Sequence, residues 1–322
     1  MTLRHPSATP LRVAVVGAGP FGRAHALELA RTPAVELAAI VAPSAERRDA
    51  LAAETGAALS LADLRPLLDG AVDAVVISAA AAVQAGIAVT ALAAGVPVLV
   101  EKPVAIDQAA REQLRRAAAQ SSAWLMPGHI LRFSAPHAEV REAVRSGAVG
   151  RVRSLSFRRH RGLDHQALFP AVHPVLMTMI HDIDLALWLT GDRIENVSST
   201  EIRTAAHPQP LAVSARARTS AGTELSFEVS WSLGAGQHLP DALELIGEDG
   251  TLALRQDARV IGPTGPADDH LTPAHPYGAL AAEQQVFLSA VRSGNAPTAV
   301  TLDEALHGLE VAERIIIAGA VT

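Results

Sequence analysis

Arg12-Val13-Ala14-Val15-Val16-Gly17-Ala18-Gly19-Pro20-Phe21-Gly22 sets an unbroken apolar run directly before three glycines spaced Gly-x-Gly-x-x-Gly, and an alanine-rich stretch follows. The run reads as a buried strand and the stretch from Pro20 to Arg31 as a helix. Gly17 then permits a tight turn, Gly19 lets backbone approach a pyrophosphate, and Gly22 lets helix pack on strand, with the helix N-terminus stabilising phosphate charge. Gly17, Gly19, Pro20, Phe21 and Gly22 are therefore expected to cradle a dinucleotide.

Working outward, short β-branched runs alternate with helical stretches, the pattern of a parallel sheet covered on both faces. Strands are expected at Arg12 to Val16, Glu36 to Val41, Ala74 to Ile77 and Val96 to Val100. Helices are expected at Pro20 to Arg31, Ser44 to Glu54, Leu61 to Leu68, Ala80 to Ala94 and Asp107 to Gln120. After Trp124 a helix at Pro136 to Ser146 precedes strands at Val152 to Arg158, Ile194 to Arg203, Ala212 to Thr219, Glu224 to Ser232, Ala242 to Gly247 and Thr251 to Leu254. Helices at Val172 to Leu189, Gly278 to Ser293 and Leu302 to Ala318 complete the pattern, and Ile261 to Pro276 reads as a surface loop. The expected fold is α/β: a doubly wound parallel sheet in residues 1–123, and an α+β domain with a large, mostly antiparallel open sheet in residues 124–322. The last helix is expected to pack back on the first domain.

A chain of 322 residues with 49% hydrophobic and 19% charged side chains suits two buried cores. The net charge of -6 and the lack of a basic tract argue against nucleic acid. Zero cysteines exclude disulfides and thiolate zinc sites. The apolar stretch from Ala79 to Val100 is interrupted by Gln84, Gly86, Gly95 and Pro97, so it reads as helix plus buried strand and not as a membrane span. A cytoplasmic location follows as the expectation, with neither membrane nor nucleic acid as partner and a homodimer or homotetramer formed through the open sheet.

An Asp or Glu normally closes the second strand of an NAD site, where it accepts from the adenosine ribose. Here the stretch is Val41-Ala42-Pro43-Ser44, with Arg47 and Arg48 following. A missing carboxylate and the donors of Ser44, Arg47 and Arg48 favour the 2′-phosphate of NADP over NAD. Of 27 cationic side chains a single one is lysine, Lys102, inside Glu101-Lys102-Pro103 at the end of the strand Val96 to Val100. A lysine there can hydrogen-bond a reacting hydroxyl or carbonyl and share its proton, which arginine cannot. His181 and Asp184 stand three apart on a helix and share a face, which suits His181 as acid/base with Asp184 orienting it or a substrate hydroxyl.

The glycine motif, Glu101-Lys102-Pro103, Gly128-His129 with Arg132-Phe133, and His181-Asp182-Ile183-Asp184 leading to Trp188 resemble the glucose-fructose oxidoreductase / inositol dehydrogenase / rhizopine-catabolism (Gfo/Idh/MocA) family. The resemblance implies a Rossmann domain, an α/β domain with an open sheet, and NAD(P)-dependent hydride transfer to or from a sugar, polyol, inositol or related compound. It implies Lys102 and His181 as the catalytic pair. Ser78, Ala79, Gln84, Glu101 and Lys102 are expected beside the cofactor; Lys102, His129, Arg159, His160, His181 and Tyr277 are expected beside the substrate. Met177 departs from the family, which commonly has Asp there; so do Ala79-Ala80 in place of Thr-Pro, and Gln84 in place of a histidine. Those departures keep open a catalytically impaired nucleotide-binding sensor or partner-binding protein, and the Arg158-Arg159-His160-Arg161 cluster keeps open a nucleotide-sugar or imine reductase. His160, His165 and His173 lack metal-ligand spacing, so no metal is expected.

Overall fold

The computed structural model describes residues 9–255 and 278–320. In chain order the first elements are β1 (Leu11–Val16), α1 (Pro20–Arg31), β2 (Val35–Val41), α2 (Ala45–Thr55), β3 (Leu59–Leu61), β4 (Ala74–Ile77), α3 (Ala81–Ala93), β5 (Val98–Glu101), α4 (Gln108–Gln120) and β6 (Leu125–Gly128). Then come α5 (Ala135–Arg145), β7 (Val152–Gly162), α6 (Asp164–Leu168), α7 (Ile180–Thr190) and β8 (Ile194–Ile202). The chain continues through β9 (Ala212–Thr219), β10 (Glu224–Leu233), β11 (Ala242–Gly247), β12 (Thr251–Arg255), α8 (Ala279–Ser293) and α9 (Leu302–Gly319).

The first compact unit joins the described residues of 1–130 to those of 272–302. Its sheet is parallel throughout in the order β3-β2-β1-β4-β5-β6, so the strand order reverses between β1 and β4. Ligands in such sheets bind beyond the carboxyl ends of the strands at that reversal. The strands are fully buried along β4 and β5, as expected of strands covered on both faces. Local chemistry sets the helix limits. Ser44 caps α2, Gly56 closes it with φ of +72°, and Asp107 caps α4 by accepting from the Ala110 amide at 2.8 Å.

One expected helix is corrected here. Leu61 to Leu68 is not a helix: Leu59–Leu61 pairs with β2, and only a 3-10 turn forms at Arg65–Leu67. Pro66 lacks the N–H that a helix interior needs, and the Asp63 side chain takes the Arg65 amide at 3.0 Å into a local turn. The helix that joins the first unit is the penultimate one, α8, whose Phe287 sets its ring edge against Trp124 at 5.5 Å. The last helix, α9, belongs to the second unit, and the units part after Ile130 and not after residue 123.

The second unit comprises the described residues of 131–271 and 303–322. Its sheet runs β12-β11-β7-β10-β9-β8; β7 and β10 pair in parallel and the other neighbours are antiparallel. Alternation sends Leu155, Phe157, Val213, Ala215, Leu225, Phe227 and Leu245 into the core, where Phe157 and Phe227 stack at 5.4 Å. The other face carries cross-strand ion pairs such as Arg158–Glu244. α7 packs on the core side and α9 lies against it, with Gly308 facing Ile180, Ile183 and Leu187. The expected helix from Val172 begins later, at Val175, as a π-helical segment to Met179 before α7 takes over.

At Gly17 φ is +118°, and an added Cβ would stand 2.1 Å from the Ser78 carbonyl oxygen. Gly17→Ala is expected to destabilise the chain by about 2–4 kcal/mol, combining backbone strain with the clash. Urea denaturation of the two proteins checks this; equal midpoints at equal slopes would refute it.

Candidate functional site

In the first unit the candidate residues gather at the carboxyl edge of the sheet. A Cβ on Gly22 would meet the Gly17 carbonyl at 2.0 Å, so helix and turn touch backbone to backbone, whereas Gly19 faces open space at the α1 N-terminus. The turn therefore has the shape its spacing predicts: two glycines for close packing and one left clear for a ligand. Ser78 follows β4, and its amide donates to the Val16 carbonyl at 2.8 Å, which places Ser78 and Ala79 beside that turn.

Next along the edge, Lys102 emerges half-buried from the end of β5. Beneath it Glu101 is buried; its Oε1 pairs with His25 Nε2 at 2.9 Å, and its Oε2 accepts from the Lys102 amide at 3.2 Å. Gln84 is also buried, and its amide nitrogen donates to the Glu101 carbonyl at 3.0 Å and the Pro103 carbonyl at 3.1 Å. The side chain of Glu101 fits because Gly128 has none; a Cβ there would lie 2.9 Å from Glu101 Oε1. His129 follows Gly128 and is buried.

In the second unit His181 lies half-buried in the first turn of α7, directly after the π-helical segment. Thr178 of that segment accepts from the Trp231 indole at 3.1 Å. Insertions of this kind re-aim the residues that follow them, and they recur at functional sites. Asp184 is buried and takes both Arg132 Nε, at 3.0 Å, and Arg132 Nη2, at 2.7 Å; Arg132 Nη1 also donates to Glu304 of α9 at 3.2 Å. Asp182, equally buried, accepts from Arg159 Nε at 2.8 Å, and Arg159 and Arg161 both pair with Asp241. His160 Nδ1 meets Ser230 Oγ at 2.8 Å. Burial, opposed by the charge of Arg159, pushes the Asp182 carboxyl up to about 6. Burial and then the Arg159 charge hold the His137 imidazole down to about 4.

Residues 11–129 match the oxidoreductase family with an NAD-binding Rossmann fold, and residues 137–253 match the GFO/IDH/MocA C-terminal domain. An inositol 2-dehydrogenase of Rubrobacter xylanophilus is 30% identical over 319 residues, covering 95% of this chain and 90% of the relative. The chain belongs to the Gfo/Idh/MocA oxidoreductase family. A 4-carboxy-2-hydroxymuconate-6-semialdehyde dehydrogenase of Sphingobium sp. is 26% identical, covering 89% of this chain and 92% of that protein. The crystal structure of scyllo-inositol dehydrogenase from Lactobacillus casei with bound NAD(H) and scyllo-inositol shares the fold, with a TM-score of 0.85 at 22% identity and 97% coverage of each chain. As a family member the protein is an NAD(P)-dependent oxidoreductase with an NAD-binding Rossmann unit.

Four of the expected site residues make polar contacts within the protein. Glu101 and Gln84, expected beside the cofactor, are buried and hold the turn that carries Lys102. Arg159, expected beside the substrate, is buried because strand alternation puts it on the core face with Leu155 and Phe157, where Asp182 and Asp241 take its guanidinium. Asp184, expected to orient His181 or a substrate hydroxyl, accepts from Arg132 with both carboxylate oxygens. Ser44 caps α2, Arg48 donates to the Ala42 and Pro43 carbonyls at 3.3 Å each, and Arg47 is exposed. Tyr277 lies outside the described residues. Among the described residues no helix is long and apolar enough to cross a membrane. Sequence reasoning missed His25, Arg132 and Asp182 as supports. The first could have been suspected as an imidazole three residues beyond Gly22 on a helix face otherwise made of Ala and Leu.

His137 and Asp182 pull stability in opposite directions over one pH window. Between about 4 and its ordinary value His137 binds more protons unfolded than folded, so its contribution grows as pH rises. Between its ordinary value and about 6 Asp182 binds more protons folded than unfolded, so its contribution shrinks as pH rises. His137→Gln leaves only the second effect; its Tm is expected to fall relative to wild type as pH goes from about 4 to about 6, measured by thermal scans. Parallel curves would refute the assignment. Arg132→Met leaves Asp184 buried without its clamp and is expected to cost about 3–5 kcal/mol by urea denaturation, with a loss under about 1 kcal/mol counting against it.

Proposed function

We propose that this oxidoreductase exchanges a hydride between NADP(H) and a CH–OH or C=O carbon of a polyol, inositol or related sugar. The observation that carries the reading is Lys102, the chain's single lysine, seated at the carboxyl edge of a Rossmann sheet on a turn built from buried polar groups. Similarity to inositol 2-dehydrogenases supports the polyol class. The nicotinamide, when bound, supplies or accepts the hydride.

The chain's own residues do the rest. The Gly17 to Gly22 turn and the α1 N-terminus bind the pyrophosphate through backbone N–H groups. No carboxylate stands in the Val41-Ala42-Pro43-Ser44 stretch that closes β2, so the position that would meet the ribose carries no repelling charge, and the Ser44 hydroxyl and the exposed Arg47 supply donors to a 2′-phosphate. Lys102 hydrogen-bonds the oxygen on the reacting carbon, and His181 takes or returns its proton. Arg132 and Asp184 keep α7, and with it His181, in place. A homo-oligomer formed through the open face of the second sheet fits the exposed Ile202 and Ile246 on that face.

Lys102→Met is expected to lower turnover by about 10²-fold or more while leaving cofactor affinity near wild type. Steady-state assays on inositols and sugars, paired with fluorescence titration, test it, and normal turnover would end the assignment. In the same titration NADPH is expected to bind more tightly than NADH; equal or tighter NADH binding would overturn the NADP preference.

A further inference from the structure

Glu283 of α8 is fully buried, and among the described residues neither of its carboxyl oxygens has a hydrogen-bond partner. Among the described residues His25 from α1 and Glu101 from β5 face it; one side-chain atom of each of the three lies within 4.8 Å of the others. Two carboxyl groups and an imidazole in a closed core could hold a cation, a proton or nothing, and the hydrogen positions decide between them.

Those positions follow from Gln284, the next residue on α8. Its amide nitrogen lies 3.2 Å from the His25 backbone carbonyl, which can only accept, so this end of the amide is the donor. The same nitrogen lies 3.0 Å from His25 Nδ1, which therefore accepts. His25 must then carry its hydrogen on Nε2 and donate it to Glu101 Oε1 at 2.9 Å. A nitrogen bearing a hydrogen has no lone pair for a metal, so His25 is no cation ligand in this arrangement. Glu101 receives that hydrogen and the Lys102 amide hydrogen, the pattern that suits a carboxylate. Glu283 receives none from the described residues and faces the Glu101 carboxylate.

We infer that Glu283 stands as a neutral carboxylic acid beside Glu101, so that the buried trio carries one negative charge, on Glu101, next in sequence to Lys102. Burial and then the Glu101 charge raise the Glu283 carboxyl well above its ordinary value, in the same direction. The inference rests on the reading of Lys102 as the reacting lysine for its functional meaning. Its test does not use turnover.

With lysine labelled by carbon-13, the full-length protein gives one lysine signal, from Lys102. Its titration midpoint is followed by NMR in wild type, Glu283→Gln and Glu101→Gln. Glutamine imitates a neutral acid, so Glu283→Gln is expected to leave the midpoint in place, whereas Glu101→Gln removes a carboxylate and lowers it by about 1 unit or more. A drop in Glu283→Gln equal to that in Glu101→Gln would show an ionised Glu283 and overturn the inference. Thermal scans give a second readout: a proton kept on folding is lost with rising pH, so wild type is expected to lose Tm relative to Glu283→Gln above about pH 4.5. Parallel pH profiles, or a stoichiometric divalent metal in purified wild type by elemental analysis, would also overturn it. If the lysine titrations come out as expected and Lys102→Met still turns over, the functional reading fails and the Glu283 assignment stands.

Discussion

A buried carboxylate cannot be left alone, and in the first unit that constraint centres on Glu101. An unpaired charge in a dry core costs several kcal/mol, so every nearby element answers to it. α1 brings His25, and the Lys102 peptide turns its N–H inward; β6 gives up a side chain at Gly128. α3 contributes Gln84 to the carbonyls on either side of Lys102. α8 returns from the far end of the chain to orient His25 through Gln284. The edge of the sheet where Lys102 stands is thus held by polar contacts that start from three other elements, α1, α3 and α8.

The second unit obeys the same rule with arginine. Arg132 and Arg159 are both buried, and each lies against a different aspartate of the His181-Asp182-Ile183-Asp184 run. A helix anchored on two sides by charge-assisted hydrogen bonds has little freedom to rotate. The half-buried His181 inherits that rigidity, and the π-helical segment before it sets its direction. Removing either arginine would leave an aspartate in the core, so these pairs specify one arrangement of α7 more than they add net stability.

Much of this was legible in the residues. The Gly17-Ala18-Gly19-Pro20-Phe21-Gly22 turn, the parallel first sheet and the mostly antiparallel second one follow from glycine spacing and apolar periodicity, which are local properties. The positions of Lys102 and His181 at element ends were legible for the same reason. The partners of polar residues were not. Arg159 read as a substrate contact, although its alternation with Phe157 already put it on the inner face; only Asp182 and Asp241, 23 and 82 residues away, make that burial tolerable. Gln84 and Glu101 read as cofactor contacts through the family resemblance, but a resemblance in sequence does not say whether a side chain points out to a ligand or in to a core.

The sequence by itself determined the family, the two kinds of sheet and the type of chemistry, because backbone preference and hydrophobic period act over a few residues. Tertiary structure alone decided that Asp184 clamps Arg132, that α8 and not α9 joins the first unit, and that Glu283 faces Glu101 without a donor. Electrostatic pairing in a core depends on which distant residues share it, and chain order carries no measure of that distance.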